Sequence, residues 1–127
     1  MKIINVVFIL LVFLLSAACA TINAQSADGL TGFSETGKAS FYASKYQSRK
    51  TASGERYDQN AKTAAHRNLP FGTLVKVTNV KNGKSVVVKI NDRGPFVKGR
   101  IIDLSRSAFR QIGDTGLGVI TVKIKVI

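Results

Sequence analysis

Cysteine is nearly absent from this sequence, and its absence removes several kinds of chemistry at once. Cys19 is the only one, and it stands in an apolar amino-terminal stretch. The folded part of the chain therefore has neither an internal disulfide nor a thiol nucleophile. Histidine is equally scarce, with His66 alone. A zinc site built from His and Cys is excluded on that count, and neither a metal nor a cofactor is expected. Acidic residues are few as well, seven Asp and Glu against nineteen Lys and Arg. Any chemistry that needs a carboxylate must draw on this short set.

Long apolar runs occur only at the amino terminus. Met1-Lys2 supplies a positive start, Ile3 to Leu15 is apolar apart from Asn5, and Ser16-Ala17-Ala18-Cys19-Ala20 is a run of small residues. This reads as a secretory signal peptide over residues 1–24, too short and wrongly flanked for a membrane span. Two cleavage readings stand. Ser16-Ala17-Ala18-Cys19 resembles a bacterial lipobox, although it lacks the usual leucine three places before the cysteine. On that reading residues 1–18 are a lipoprotein signal and Cys19 carries a lipid anchor to the membrane. Ordinary cleavage near Ala20 or Ala24 leaves an unanchored protein. Both readings export the chain to a bacterial cell envelope.

The net charge is +12. Inside a cell such an excess points to nucleic acid. Export removes nucleic acid from the expected partners, and the lysines are scattered along strands instead of clustering with aromatics. An envelope polymer bearing carboxylates or phosphates is the expected partner class, against the alternative of a solvated basic face that only maintains solubility.

At 127 residues and 45% apolar content the chain can hold one compact domain. Residues 25–36 read as an aperiodic linker and residues 37–127 as the domain, with no second domain after it and no internal repeat. A monomer is expected. Lys38 to Ala43 looks like a first strand, Thr63 to His66 a short one, and Thr73 to Asn79 alternates Val75 and Val77 against Lys76 and Thr78. Lys81-Asn82-Gly83-Lys84 signals a hairpin. Its partner strand puts Val86, Val88 and Ile90 on one face and breaks at Asn91-Asp92-Arg93-Gly94-Pro95. Arg100 to Leu104 is a further apolar step. Ser105 to Ile112 is a helix with Ala108, Phe109 and Ile112 on one face and Gly113 as its stop. Ile120 to Ile127 alternates cleanly. About six strands with one short helix make an all-β chain, a small closed β-barrel.

Elimination narrows the carboxylates. Asp28 and Glu35 fall in the linker, Asp114 in a turn, and Asp103 near a helix cap or in a buried ion pair. Asp58 is most simply a solvated loop residue. Glu55 and Asp92 remain, both in glycine-containing loops beside strands, with His66 as the one imidazole.

These residues carry a resemblance. Gly37-Lys38-Ala39-Ser40-Phe41-Tyr42, Thr51-Ala52-Ser53-Gly54-Glu55, Ala64-Ala65-His66-Arg67 with Leu69-Pro70-Phe71-Gly72-Thr73, Val77-Thr78-Asn79, Asn91-Asp92-Arg93-Gly94-Pro95-Phe96 and Gly99-Arg100-Ile101-Ile102-Asp103-Leu104-Ser105 occur in order. Together they resemble the rare lipoprotein A family, septal-ring-type endolytic transglycosylases, over nearly everything from Gly37 to Val126. The resemblance implies a six-stranded double-psi β-barrel related to the first domain of expansins. It implies lytic cleavage of peptidoglycan glycan strands stripped of stem peptides, with Asp92 as catalytic acid and Glu55 and His66 in the same groove. Arg93, Arg67 and Tyr42 are the substrate-binding candidates. The peptidoglycan-binding SPOR repeat of many larger members has no counterpart in this sequence, which leaves septal targeting open. A side chain of Arg93 paired with Asp92 would argue against the acid role. A non-catalytic, expansin-like glycan-binding module is the alternative of another class.

Overall fold

The computed structural model describes residues 27–127. The signal peptide over 1–24, its two cleavage readings and the lipidation of Cys19 lie outside the described residues. Six strands follow in chain order: β1 (Ser34–Phe41), β2 (Thr63–Ala65), β3 (Leu74–Asn79), β4 (Ser85–Asp92), β5 (Arg100–Leu104) and β6 (Ile120–Val126). One helix, α1 (Arg106–Ile112), lies between β5 and β6. The strands close into a barrel in the order β1-β5-β2-β4-β3-β6.

Period-2 alternation sets which side chains fill the barrel. Val75 and Val77 of β3, Val86, Val88 and Ile90 of β4, and Ile120, Val122, Ile124 and Val126 of β6 are all buried. Lys76, Lys123 and Lys125 alternate with them and are exposed. The β3–β4 hairpin turns at Gly83, whose φ of 75° lies in the left-handed region that an Asn-Gly turn requires. Ser105 caps α1 with its hydroxyl accepting from the Ala108 N–H, a contact typically worth about 1 kcal/mol. Ala108, Phe109 and Ile112 then face the core, and Phe109 meets Phe41 at 4.7 Å between ring centroids.

Two parallel pairings, β1 with β5 and β2 with β4, each carry a register shift. In the second, Ala64 stands opposite Ile90 but Ala65 opposite Asp92, so Asn91 is an extra residue on β4. Such a bulge re-aims the residue that follows it. Asp92 is that residue, and it closes the strand instead of standing on the loop beyond it.

The amino-terminal boundary differs from the sequence reading. Leu30 packs against the core, β1 already begins at Ser34, and Glu35 pairs in register with Ile124 of β6. The pattern was hidden because the outward positions are polar, Ser34 and Thr36, and the inward one is a carboxylate. Gly37 sits where a Cβ would come within 2.6 Å of the Ile101 side chain, which makes glycine the residue for that close approach.

Candidate active site

Asp92 stands at the end of β4, where three chain segments converge. On one side the Ala65-His66 step of β2 runs alongside, and the His66 N–H donates to the Asp92 carbonyl at 3.1 Å. On another, β1 ends and Tyr42 is fastened by its N–H to the Leu104 carbonyl at 3.0 Å. The third segment is the polar turn Thr51-Ala52-Ser53-Gly54-Glu55. Its Ser53 N–H donates to the Asn91 carbonyl at 3.2 Å, and Gly54 supplies the positive φ, 92°, that lets it fold back.

This convergence brings three donors to the Asp92 carboxylate. Oδ1 accepts from the Ala52 N–H at 2.8 Å and from the Arg93 N–H at 2.9 Å. Oδ2 accepts from the Tyr42 hydroxyl at 2.5 Å. An open cleft of about 240 Å³ spreads from it, lined by Tyr42, Tyr46, Arg49, Lys50, Thr51, Tyr57 and Asp92. Asp92 is the one carboxylate in that lining. The Tyr42 ring packs on Tyr57 at 4.7 Å and on Tyr46 at 6.0 Å between centroids.

Burial, reinforced by the hydrogen bond and the negative charge of Asp92, holds the Tyr42 phenol far above its ordinary value. Tyr42 thus stays protonated at any working pH and acts as a donor, never as a base. Burial also raises the Tyr57 phenol, partly offset by its bond from the Arg106 N–H.

The six sequence-predicted residues separate on inspection. Tyr42 and Asp92 are brought into contact. Arg93 turns its guanidinium away from Asp92: it donates to the Leu69 carbonyl at 2.8 Å and the His66 carbonyl at 3.2 Å, and lies 4.0 Å over the Phe71 ring. Its charge thus clamps the turn after β2 and leaves the carboxylate of its neighbour unpaired. Glu55 shares the turn that grips Asp92, but its own carboxylate is exposed and pairs with Lys89 at 2.9 Å. Arg67 is exposed and outside the cleft lining.

His66 is buried, and its ring is held from both ends. Nδ1 accepts from the N–H groups of Asn68 and Leu69, at 3.1 and 3.2 Å, which leaves the proton on Nε2, 3.1 Å from Oε1 of Glu35. The imidazole thus lies outside the cleft lining and braces the turn whose carbonyls bind Arg93. Among the described residues no group of three or more His, Cys, Asp or Glu is placed to hold a metal ion.

Sequence reasoning missed Tyr46, Tyr57 and Glu35. Two tyrosines in an otherwise polar loop were a signal for the first pair, since such rings need a surface to pack on. Glu35 had no local signal, because its partner is 31 residues away.

Comparison with known proteins adds to this geometry. The lytic transglycolase family matches residues 34–124. The endolytic peptidoglycan transglycosylase RlpA of Pasteurella multocida is 53% identical over 103 residues, which are 81% of this chain and 35% of that protein. The probable endolytic peptidoglycan transglycosylase RlpA of a Synechocystis species is 59% identical over 91 residues, 72% of this chain and 28% of its own length. The chain thus spans about a third of the length of the curated relatives it matches. In fold it is similar to the Streptomyces papain inhibitor, with a TM-score of 0.62 and 24% identity over 76% of this chain and 96% of that one. A Clavibacter michiganensis expansin variant in complex with cellohexaose gives 0.59 and 22%, over 75% and 50%. With a closed six-stranded barrel and one α-helix among its described residues, and a match that covers most of its length, the chain belongs to the lytic transglycolase family, as an RlpA-type double-psi β-barrel.

Proposed function

We propose that this protein is an endolytic peptidoglycan transglycosylase of the cell envelope, cleaving the MurNAc–GlcNAc bond of glycan strands and leaving 1,6-anhydro-muramic ends. The observation that carries the reading is the lone carboxylate of the cleft. Hydrolysis of a glycoside ordinarily uses two carboxyl groups flanking the bond, one of them to activate water or to act as nucleophile. Lytic cleavage needs one, because the nucleophile belongs to the substrate. Asp92 delivers a proton to the leaving glycosidic oxygen while the muramic C6 oxygen attacks C1. The C1–O4 bond breaks, the C1–O6 bond forms, and the C6 hydroxyl proton returns to Asp92. Names and identity of the curated relatives support the same activity for this barrel.

The neighbours take supporting roles. Oδ1 is committed to two backbone donors, so Oδ2 is the oxygen that exchanges the proton. Tyr42 orients it and stabilises the carboxylate that forms while its proton is on the leaving oxygen. Arg49 and Lys50 face the cleft as cations for polar groups of the strand, Arg49 lying over the Tyr46 ring at 5.2 Å. His66 and Arg93 hold the corner in place, Glu55 closes the turn that carries Ala52, and exposed Arg67 reaches substrate only beyond the cleft. Denuded strands are the substrate class of this reading.

Mass spectrometry of products from amidase-treated sacculi tests the reading. Anhydro-terminated fragments are expected. Reducing ends would make water the nucleophile, and glycan retained without any product would favour a binding module like the expansin barrel.

A further inference from the structure

A second groove, distant in composition from the first, lies where β1, β3 and β6 meet the loop before β6. It measures about 500 Å³, and its walls include Lys38, Lys81, Val80, Leu117, Val119 and Thr121. Leu117 and Val80 are more than half exposed, at 66% and 52%, so the floor is apolar and open. Lys38 spends one hydrogen on the Thr121 hydroxyl at 2.7 Å and keeps two for a ligand. Asp114, on the loop that carries Leu117, turns Oδ1 to the Gly116 N–H and does not line the groove.

The groove opens onto a sheet face of one sign. Lys76 stands directly opposite Lys125, and Lys123 opposite Thr36 on one side and Thr78 on the other. Like charges directly opposed across a strand pair are destabilising. Among the described residues no carboxylate forms an ion pair with Lys38, Lys76, Lys123 or Lys125. A local conflict left unrelieved by the fold marks a surface that something else neutralises.

We infer that this groove and lysine face bind the acidic stem peptides of peptidoglycan strands that have not been stripped, a partner that rests on the peptidoglycan reading above. The chemistry matches in both parts. Stem peptides are short, carry free carboxylates for Lys38 and Lys81, and present small aliphatic side chains to Leu117 and Val119. A membrane surface fits less well, because the apolar residues Leu117, Val80 and Val119 line a recess with Lys38 and Lys81 at its walls. The barrel then holds a peptide-bearing strand on one surface while Asp92 works on a stripped strand at another.

Cosedimentation with sacculi tests this, using protein carrying Asp92→Asn so that nothing is cleaved during the measurement. Peptide-bearing sacculi should be bound more tightly than amidase-stripped sacculi. Lys38→Gln with Lys81→Gln should weaken the first by about tenfold and leave the second unchanged. Raising salt from about 0.05 M to about 0.5 M should remove the difference. In the Asp92-containing protein the same two substitutions should leave release of anhydro-ends from stripped strands unaltered. Equal binding of both kinds of sacculi, or no effect of the double substitution, overturns the inference even where cleavage occurs. Lysine-dependent binding to phosphatidylglycerol vesicles but not to peptide-bearing sacculi overturns it in favour of a lipid surface. Absence of anhydro products with peptide-dependent binding intact would refute the catalytic reading and leave this surface standing.

Discussion

Tyr42 donates its phenolic hydrogen to Oδ2 of Asp92 across 2.5 Å, although the two residues stand 50 positions apart. The contact joins the end of β1 to the end of β4, and the packing of Tyr57 on Tyr42 keeps the ring there. The sequence offered Tyr42 only as one of several binding candidates; the barrel makes it the side chain that touches Oδ2 of Asp92.

Removing the hydroxyl with Tyr42→Phe keeps the ring and its contacts. The rate of anhydro-end formation should fall by about 10- to 100-fold, one hydrogen bond to a charged group, with KM for stripped strands little changed. Steady-state kinetics on soluble strands checks this. An unchanged kcat would show that Oδ2 works without the phenol.

His66 and Glu35 are expected to separate stability from chemistry. His66→Ala leaves the buried N–H of Leu69 and the half-buried N–H of Asn68 without their acceptor and opens a cavity. The cost should be about 2–4 kcal/mol in urea unfolding. Glu35→Gln keeps an acceptor for the Nε2 proton and should cost less than about 1 kcal/mol. If His66→Ala unfolds at the wild-type midpoint yet abolishes cleavage, the imidazole takes part in the reaction directly.

Alkaline stability follows from the two raised phenols. In the folded protein Tyr42 and Tyr57 hold their protons above the pH at which they lose them once unfolded, about 10. Their contribution is fully present below that value and is lost as pH climbs through the folded values, so the unfolded state is favoured from about pH 10 upward. Urea midpoints should be flat between about pH 7 and 9 and decline above. Tyr42→Phe with Tyr57→Phe should flatten the decline, while the lysine titration remains common to both proteins.

Much of the barrel was legible because its signals are local. The alternation of β3, β4 and β6, the Asn82-Gly83 turn and the Ser105 cap each act within a few residues. β1 was read short because Glu35 occupies an inward position that alternation assigns to an apolar side chain. Elimination among seven carboxylates left Glu55 and Asp92, and the family resemblance singled out Asp92. Its partners could not be found in this way, since Tyr42 and the Ala52 N–H reach it only once the β2–β4 register shift has aimed the strand end. The direction of Arg93 was open for the same reason: nothing in Asp92-Arg93 says that the guanidinium will find the carbonyls of His66 and Leu69 instead of the neighbouring carboxylate.

Asp92 as the single acid and base is the centre of this account, and one comparison addresses it most directly. Wild-type protein and Asp92→Asn are incubated with amidase-stripped glycan strands, and 1,6-anhydro ends are quantified by mass spectrometry, with circular dichroism to establish that both are folded. The amide keeps the acceptor for Ala52 and Arg93 but has no proton to deliver. A folded Asp92→Asn protein should form anhydro ends about 10²–10⁴-fold more slowly than wild type. A folded variant that produces them at the wild-type rate would contradict the account.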